Sequence, residues 1–321
     1  MISFIVIGKN EGWKITKCIN SIFNTVRLNS VNSFEIIYID SGSTDDSISR
    51  IKKFGDVQIF KITSVPNAAI ARNIGAKESK GDVLFFIDGD MEIIPKTFSL
   101  IYSIKDGLKA DYISGNFTNY YYNQSGDFLY KEDYHNLTKD TYQPTTGGLF
   151  IIKRVLWEKM GGMRNIFRKS QDIDFGLRLS KKGILLLRKK EILAIHHTIS
   201  YTDKNRFIKD ALRGNYLFRG LLYKNHVFNK YVFKLYIIRE ITLAALITSL
   251  VLSIVLHSPL ILLSYVILLL AKIFYKQKTV KANLFYNMIY NLTTDIMTLI
   301  SILFYWPSEK KNVTYERIEN I

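Results

Sequence analysis

Phe85-Phe86-Ile87-Asp88-Gly89-Asp90 sets two carboxylates one residue apart behind an apolar run. Both can reach one divalent cation, with Gly89 keeping the approach open. Hard oxygen ligands suit Mg2+ or Mn2+, which keep waters and bind substrate phosphates. Asp-Gly is also ordinary turn chemistry, so this tripeptide takes its meaning from its neighbours. A second acidic cluster is Ile39-Asp40-Ser41-Gly42-Ser43-Thr44-Asp45. Ser43, Thr44 and Asp45 serve as helix N-caps and Gly42 relieves a turn, which leaves Asp40 at the mouth of a sheet still to be explained. The third, Gln171-Asp172-Ile173-Asp174-Phe175-Gly176, opens an amphipathic helix, where either aspartate would also complement the helix dipole. His196-His197, just beyond the apolar run Ile192–Ile195, is a source of one further metal ligand.

Two weaker features lie between these clusters. Thr145-Thr146-Gly147-Gly148 precedes Leu149–Ile152, so its glycines either admit an acceptor or phosphate close to the backbone or form a turn before an edge strand. Tyr120-Tyr121-Tyr122 and the loop to Tyr142 fit sugar stacking and a tyrosine-rich edge strand equally.

The elements that must position these side chains follow from the pattern. Phe4–Ile7, Phe34–Ile39, Val57–Ile62 and Val83–Ile87 read as strands, with helical segments at Lys14–Phe23, Asp45–Phe54 and Ala68–Lys80 between them. Such alternation predicts βαβ units and the α/β class. Doubly wound sheets bind ligands outside the carboxyl ends of their strands, where Asp40 and Asp88 stand.

The chain changes character near residue 237. Ile241 to Ala271 holds no Asp, Glu, Lys or Arg over 31 residues, too long for one membrane span and enough for a tight pair broken at His257-Ser258-Pro259. A third candidate, Leu284–Trp306, carries Asn287, Asn291 and Asp295 on one stripe, predicting a packed span or an interfacial helix. Lys204 to Arg239 holds nine Lys/Arg against one acid, and Lys276, Lys278 and Lys281 lie before the third segment. Basic residues beside spans mark the cytoplasmic side, so the expectation is a multi-pass cell-membrane protein with a cytoplasmic catalytic domain. The net charge of +16 is then accounted for by membrane lipids, and nucleic acid is not expected as a partner. With 48% hydrophobic residues the chain is not disordered. Its single cysteine, Cys18, excludes a disulfide framework and a cysteine-based zinc site.

In order and spacing, Phe4-Ile-Val-Ile-Gly-Lys-Asn-Glu11, Ile39-Asp40-Ser-Gly-Ser-Thr-Asp45, Ala71-Arg-Asn-Ile-Gly75, Asp88-Gly-Asp90, Gly161-Gly162 and Gln171-Asp-Ile-Asp174 resemble family 2 glycosyltransferases with the GT-A fold. The resemblance spans roughly residues 1–220. It implies a Rossmann-like, mixed but mostly parallel sheet flanked by helices, with a nucleotide-sugar donor (UDP- or GDP-linked) and a glycan or lipid-linked acceptor. It also implies roles residue by residue. Asp40 would accept from the donor's base, with Arg72 near the same nucleotide and Glu11 closing the first loop of that pocket. Asp88 would contact ribose or a metal-bound water, Asp90 would ligate Mg2+ or Mn2+, and His196 would reach the metal or diphosphate. Asp172 matches the catalytic base. Three positions depart from the pattern: Gln171 replaces Glu, Met163-Arg164 stands where Phe-Asp is common, and Ser41 replaces a second Asp.

The expected domains are residues 1–203 (nucleotide half 1–115, acceptor half 116–203), a basic segment 204–239, membrane helices 240–306 and a polar tail 307–321. Inverting single displacement is the expected chemistry, with a cation neutralising the departing diphosphate and Asp172 taking the acceptor's proton. A nucleotidyltransferase would want a phosphate-cradling loop richer than Gly8-Lys9-Asn10-Glu11-Gly12. An inactive membrane scaffold would have no use for Asp40, Asp88, Asp90 and Asp172 together.

Overall fold

The computed structural model describes residues 1–103, 107–123, 125–199, 204–232, 240–277, 284–309 and 312–319. They form two units, Met1–Tyr201 with Glu309–Ile321, and Thr202–Ser308. The first unit begins β1 (Ile2–Gly8), α1 (Trp13–Leu28), β2 (Phe34–Asp40), α2 (Ser47–Ile51), β3 (Val57–Ile62), α3 (Ala68–Glu78) and β4 (Val83–Asp88). These strands are buried on both faces, which is why they read as apolar runs. On one face Phe4, Val6, Ile36 and Tyr38 pack with Ile15, Ile19 and Ile22 of α1. On the other, Ile5, Ile7, Ile37 and Ile39 pack with Ile70 and Ile74 of α3.

The strands run parallel in the order β4-β1-β2-β3. The chain winds outward from β1 to β3 and returns to the far side of β1 for β4. That reversal is the switch point at which open α/β sheets bind ligands. Register sets Gly8 opposite Asp40 and Ile7 opposite Asp88, so the acidic ends of β2 and β4 flank the loop after β1.

Beyond β4 come β5 (Met91–Ile93), α4 (Thr97–Ile101), the short pair β6 (Tyr102–Ser103) and β7 (Gly107–Leu108), β8 (Tyr112–Tyr122), β9 (Phe128–Asp133), β10 (Thr141–Gln143), β11 (Phe150–Lys153), α5 (Arg154–Lys159), α6 (Gln171–Lys181) and β12 (Leu186–Ile199). Here the expected parallel character gives way. β8 and β12 pair in parallel, but β11 runs antiparallel to β4 and β8, β9 to β8, and β5 and β10 to β12. Most of these connections lack the crossover helix that parallel pairing requires. The predicted polar tail supplies β13 (Tyr315–Ile318), antiparallel to β3 at the sheet's edge.

The second unit contains α7 (Lys204–Leu212), α8 (Leu217–Asn225), α9 (Ile241–Val255), a 3-10 turn at Pro259–Ile261, α10 (Leu262–Gln277) and α11 (Leu284–Phe304). No described helix is long and apolar enough to cross a membrane, which corrects the expectation of two or three spans. The break at His257-Ser258-Pro259 leaves helices of 15 and 16 residues, where a crossing needs about 20. The 21-residue α11 carries Asn287, Asn291 and Asp295. Lys278, Lys281 and residues 233–239 of the basic segment lie outside the described residues.

Candidate active site

A cavity of about 360 Å3 opens at the carboxyl ends of β1 and β4, lined by residues that include Glu11, Ser41, Arg72, Asp88, Asp90 and Gln171. Asp88 ends β4, and Gly89 donates its N–H to the Ile7 carbonyl at 2.8 Å, tying the Asp-Gly-Asp turn to β1. Arg72 on α3 is 2% exposed and donates from Nη2 to Asp88 Oδ1 at 2.6 Å. Its Nε and Nη1 are buried without a hydrogen-bond partner among the described residues. Burial raises the Asp88 pKa, against the pull of Arg72. The Thr145–Gly148 turn touches the same carboxylate, since a Cβ on Gly148 would stand 2.0 Å from Asp88 Oδ2. Any other residue there would have to push the Asp88 carboxylate aside.

Asp90 is held from β12. His196 Nε2 lies 3.3 Å from Asp90 Oδ2, and His196 Nδ1 lies 2.7 Å from Asn119 Oδ1 on β8. Burial pushes the Asp90 carboxyl up, but the hydrogen bond and charge of His196 outweigh it and leave the pKa lowered. For His196, burial works downward and Asp90 upward, and the result is raised. The neighbouring His197 points elsewhere, toward Tyr122 and Glu92, while its N–H caps the Asp90 carbonyl at 2.8 Å. Glu11 pairs with Lys14 at 2.9 Å. Burial, helped by Asp90 and opposed by Lys14, lifts its carboxyl to about 7.

Asp40 stands where the sequence placed it, yet it does not line the cavity. It is fully buried, accepting from the Gly42 and Ser43 N–H groups at 2.9 and 2.8 Å and from the Tyr38 hydroxyl at 3.2 Å. It braces the turn that presents Ser41.

The two aspartates of α6 separate by function. Asp174 is fully buried and ion-paired with both Arg164 and Arg178. Arg178 also donates to the Met160 carbonyl at 2.6 Å, so this acid locks the Gly161-Gly162 turn to the helix. The departure at Arg164 is thereby explained: it is a counter-ion. Asp172, half-buried at the helix start, has a raised pKa from burial, tempered by Arg72 and by the N–H groups of Ile173 and Asp172 itself, and pushed further by Asp88. It therefore shares one electrostatic neighbourhood with Arg72 and Asp88. The preceding Ser170 takes a left-handed conformation, φ 63°, a local strain of the kind stored at functional turns.

Asp88, Asp90 and His196 thus come together. Yet among the described residues no group of three or more His, Cys, Asp or Glu is arranged to hold a metal ion. Arg72 engages Asp88, and both ring nitrogens of His196 are partnered. Asp90 Oδ1 is buried with no partner, an orphaned acceptor that fits a cation completed by substrate phosphates. Sequence reasoning missed Tyr38, Asn119 and Gln171, whose Oε1 is likewise buried and unpartnered. Gln171 did carry a signal, as a departure from the family pattern, whereas Asn119 is set opposite His196 only by the strand register.

Residues 3–173 match the family model described as glycosyl transferase family 2. The chain is 23% identical over 205 residues to Glycosyltransferase AglE of Haloferax volcanii, covering 61% of this chain and 66% of the relative. It is 29% identical over 120 residues to the poly(ribitol-phosphate) beta-N-acetylglucosaminyltransferase TarP of Staphylococcus aureus, covering 36% of each. It is also 28% identical over 124 residues to Glycosyltransferase GlyG of Streptococcus pneumoniae, covering 37% of this chain and 40% of that protein. In each case the match spans less than two thirds of the relative's own length. Among solved structures, GalNAc-T7 with UDP, GalNAc and Mn2+ superimposes at TM-score 0.49 with 16% identity, over 61% of this chain and 44% of that one. Staphylococcus aureus TarS 1–349 does so at 0.48 with 15% identity, over 67% and 65%.

Proposed function

The chain belongs to glycosyl transferase family 2, and from that premise we propose that it moves a sugar from a nucleotide-diphosphate sugar, UDP- or GDP-linked, to a hydroxyl of a glycan or lipid-linked acceptor, inverting the anomeric centre. The observation that carries this reading is the cavity at the β1/β4 switch point, in which Arg72, Asp88 and Asp90 meet beside the N-terminus of α6. A diphosphate brings negative charge and acceptor oxygens. Arg72 offers it two unengaged nitrogens at a buried site, where a charge-assisted hydrogen bond is strong. Ser41, presented by the turn that Asp40 braces, and Glu11 form the nucleotide side of the same wall.

Bound Mg2+ or Mn2+ would supply Lewis-acid neutralisation of the charge that develops on the departing diphosphate. Asp90 and Asp88 would hold it, with His196 orienting Asp90. Asp172 takes the proton of the attacking hydroxyl, and its raised pKa makes it a stronger base than an ordinary carboxylate. One displacement needs no covalent enzyme intermediate. The name of the relative TarP specifies a phosphate-polymer acceptor. For this chain a surface-glycan or lipid-linked hydroxyl, met at the cytoplasmic face of the membrane, is the matching choice.

A thermal-shift panel of nucleotide sugars with Mn2+ tests the reading. One donor class should raise the midpoint of the wild type and leave Asp90→Ala unmoved. A panel without any responder counts against it.

A further inference from the structure

The second unit buries a set of polar side chains beside its apolar cluster of Leu246, Tyr265, Leu269 and Ile273. Thr242, Ser249, Thr294, Asp295, Thr298 and Ser301 are buried, each under 5% exposed. The polar groups between its helices answer one another: the Ser249 and Ser264 hydroxyls lie 2.9 Å apart, and Lys272 donates to Thr242 at 2.9 Å. Outside, around the turn joining α9 to α10, stand Ile254, Val255, Leu256, Leu260, Leu263 and Ile267, with Ile254 72% and Leu260 71% exposed. An apolar surface of this continuity is abnormal against water. It is the arrangement required by hydrocarbon, where polar groups must be satisfied internally.

Length argues against either helix crossing. Fifteen residues in α9 reach about 22 Å at 1.5 Å per residue, short of the roughly 30 Å hydrocarbon core. The charge-free run from Ile241 to Ala271 covers α9, the turn and most of α10, while nine Lys/Arg against one acid crowd residues 204–239 ahead of it. Basic residues there complement anionic headgroups.

We propose that the α9–α10 hairpin enters one leaflet of an anionic bilayer turn-first and does not cross it. This deepens the membrane part of the reading above, and its readout is lipid depth instead of transfer, so either can fail alone. The full chain carrying Leu260→Cys, labelled with an environment-sensitive fluorophore (Cys18 is buried), is mixed with vesicles of phosphatidylcholine and phosphatidylglycerol. The dye should shift to the blue, be quenched by acyl-chain spin labels, and be protected from dithionite on either side of the vesicle. Dithionite reaching it from outside would overturn entry, and dithionite trapped inside reaching it would overturn the single-leaflet depth. In the same assay the labelled Leu260→Cys chain carrying Ile254→Asp with Leu256→Asp, its helix content checked by circular dichroism, should bind vesicles at least about tenfold more weakly. Unchanged binding would overturn the proposal, as would a lipid-free dimer that buries position 260 and ignores vesicles.

Discussion

In the first unit, charged groups withdrawn from water include Asp40, Arg72 and Asp174, each 2% exposed or less. In the second, polar groups run along the seam between helices, with Thr242, Thr298 and Ser301 fully buried. The two core clusters of the sheet are mainly isoleucine and phenylalanine, so a buried charged group among them needs a specific reason. Some such groups brace turns, and others are held ready for a ligand. The helical unit buries polar groups beside its apolar cluster of Leu246, Tyr265, Leu269 and Ile273, and large apolar side chains stand outside, the pattern from which lipid contact is proposed above. On the proposals above, buried polarity serves the donor site in one region and answers a lipid surface in the other.

That contrast can be broken at several points. Asp172→Asn should lower transfer by about 10²–10⁴-fold, the worth of a positioned base, while leaving the thermal midpoint nearly unchanged. Equal loss of fold and activity would make Asp172 a structural residue like its neighbour. Asp174→Ala should destabilise the first unit by about 3–5 kcal/mol in urea titrations, because Arg164 and Arg178 lose their shared partner. Removing residues 312–321 should cost about 1–2 kcal/mol, part of what a fully buried aromatic contributes, since the half-buried Tyr315 packs edge-on to Phe60. Ser249→Ala should cost only about 1 kcal/mol in lipid, the net value of one hydrogen bond. The finest effect is in pH. Asp172 must be ionised to act, and its folded pKa is raised, so transfer should switch on with increasing pH above the ordinary carboxylate range. An acid limb at an ordinary carboxylate value would place the base elsewhere.

Much of the first unit was legible because strands buried on both faces betray themselves as apolar runs, and their acidic ends mark the cavity's rim. Asp88 and Asp90 were readable for that reason. Asp40 was located correctly, but an acid at a strand end looks the same whether it faces a ligand or braces Gly42 and Ser43. Telling Asp172 from Asp174 required Arg164, ten residues upstream of Asp174, and that partnership exists only after folding. The antiparallel half was hidden because β12 slips register between Lys189 and Ala194, which spoils its alternation. β13 is four residues long and half charged, so nothing in its composition announced a strand. In the second unit the charge-free run was plain, but the helix lengths depended on the break at His257–Pro259.

The central claim is that Asp172 takes the proton of the acceptor hydroxyl that attacks a donor held by Arg72, Asp88 and Asp90. Donor turnover by wild type and Asp172→Asn, each first titrated with the responding nucleotide sugar and Mn2+, tests it most directly. The account predicts matching donor affinity with turnover reduced at least about a hundredfold in the variant. Turnover equal to wild type, at equal affinity, would contradict it.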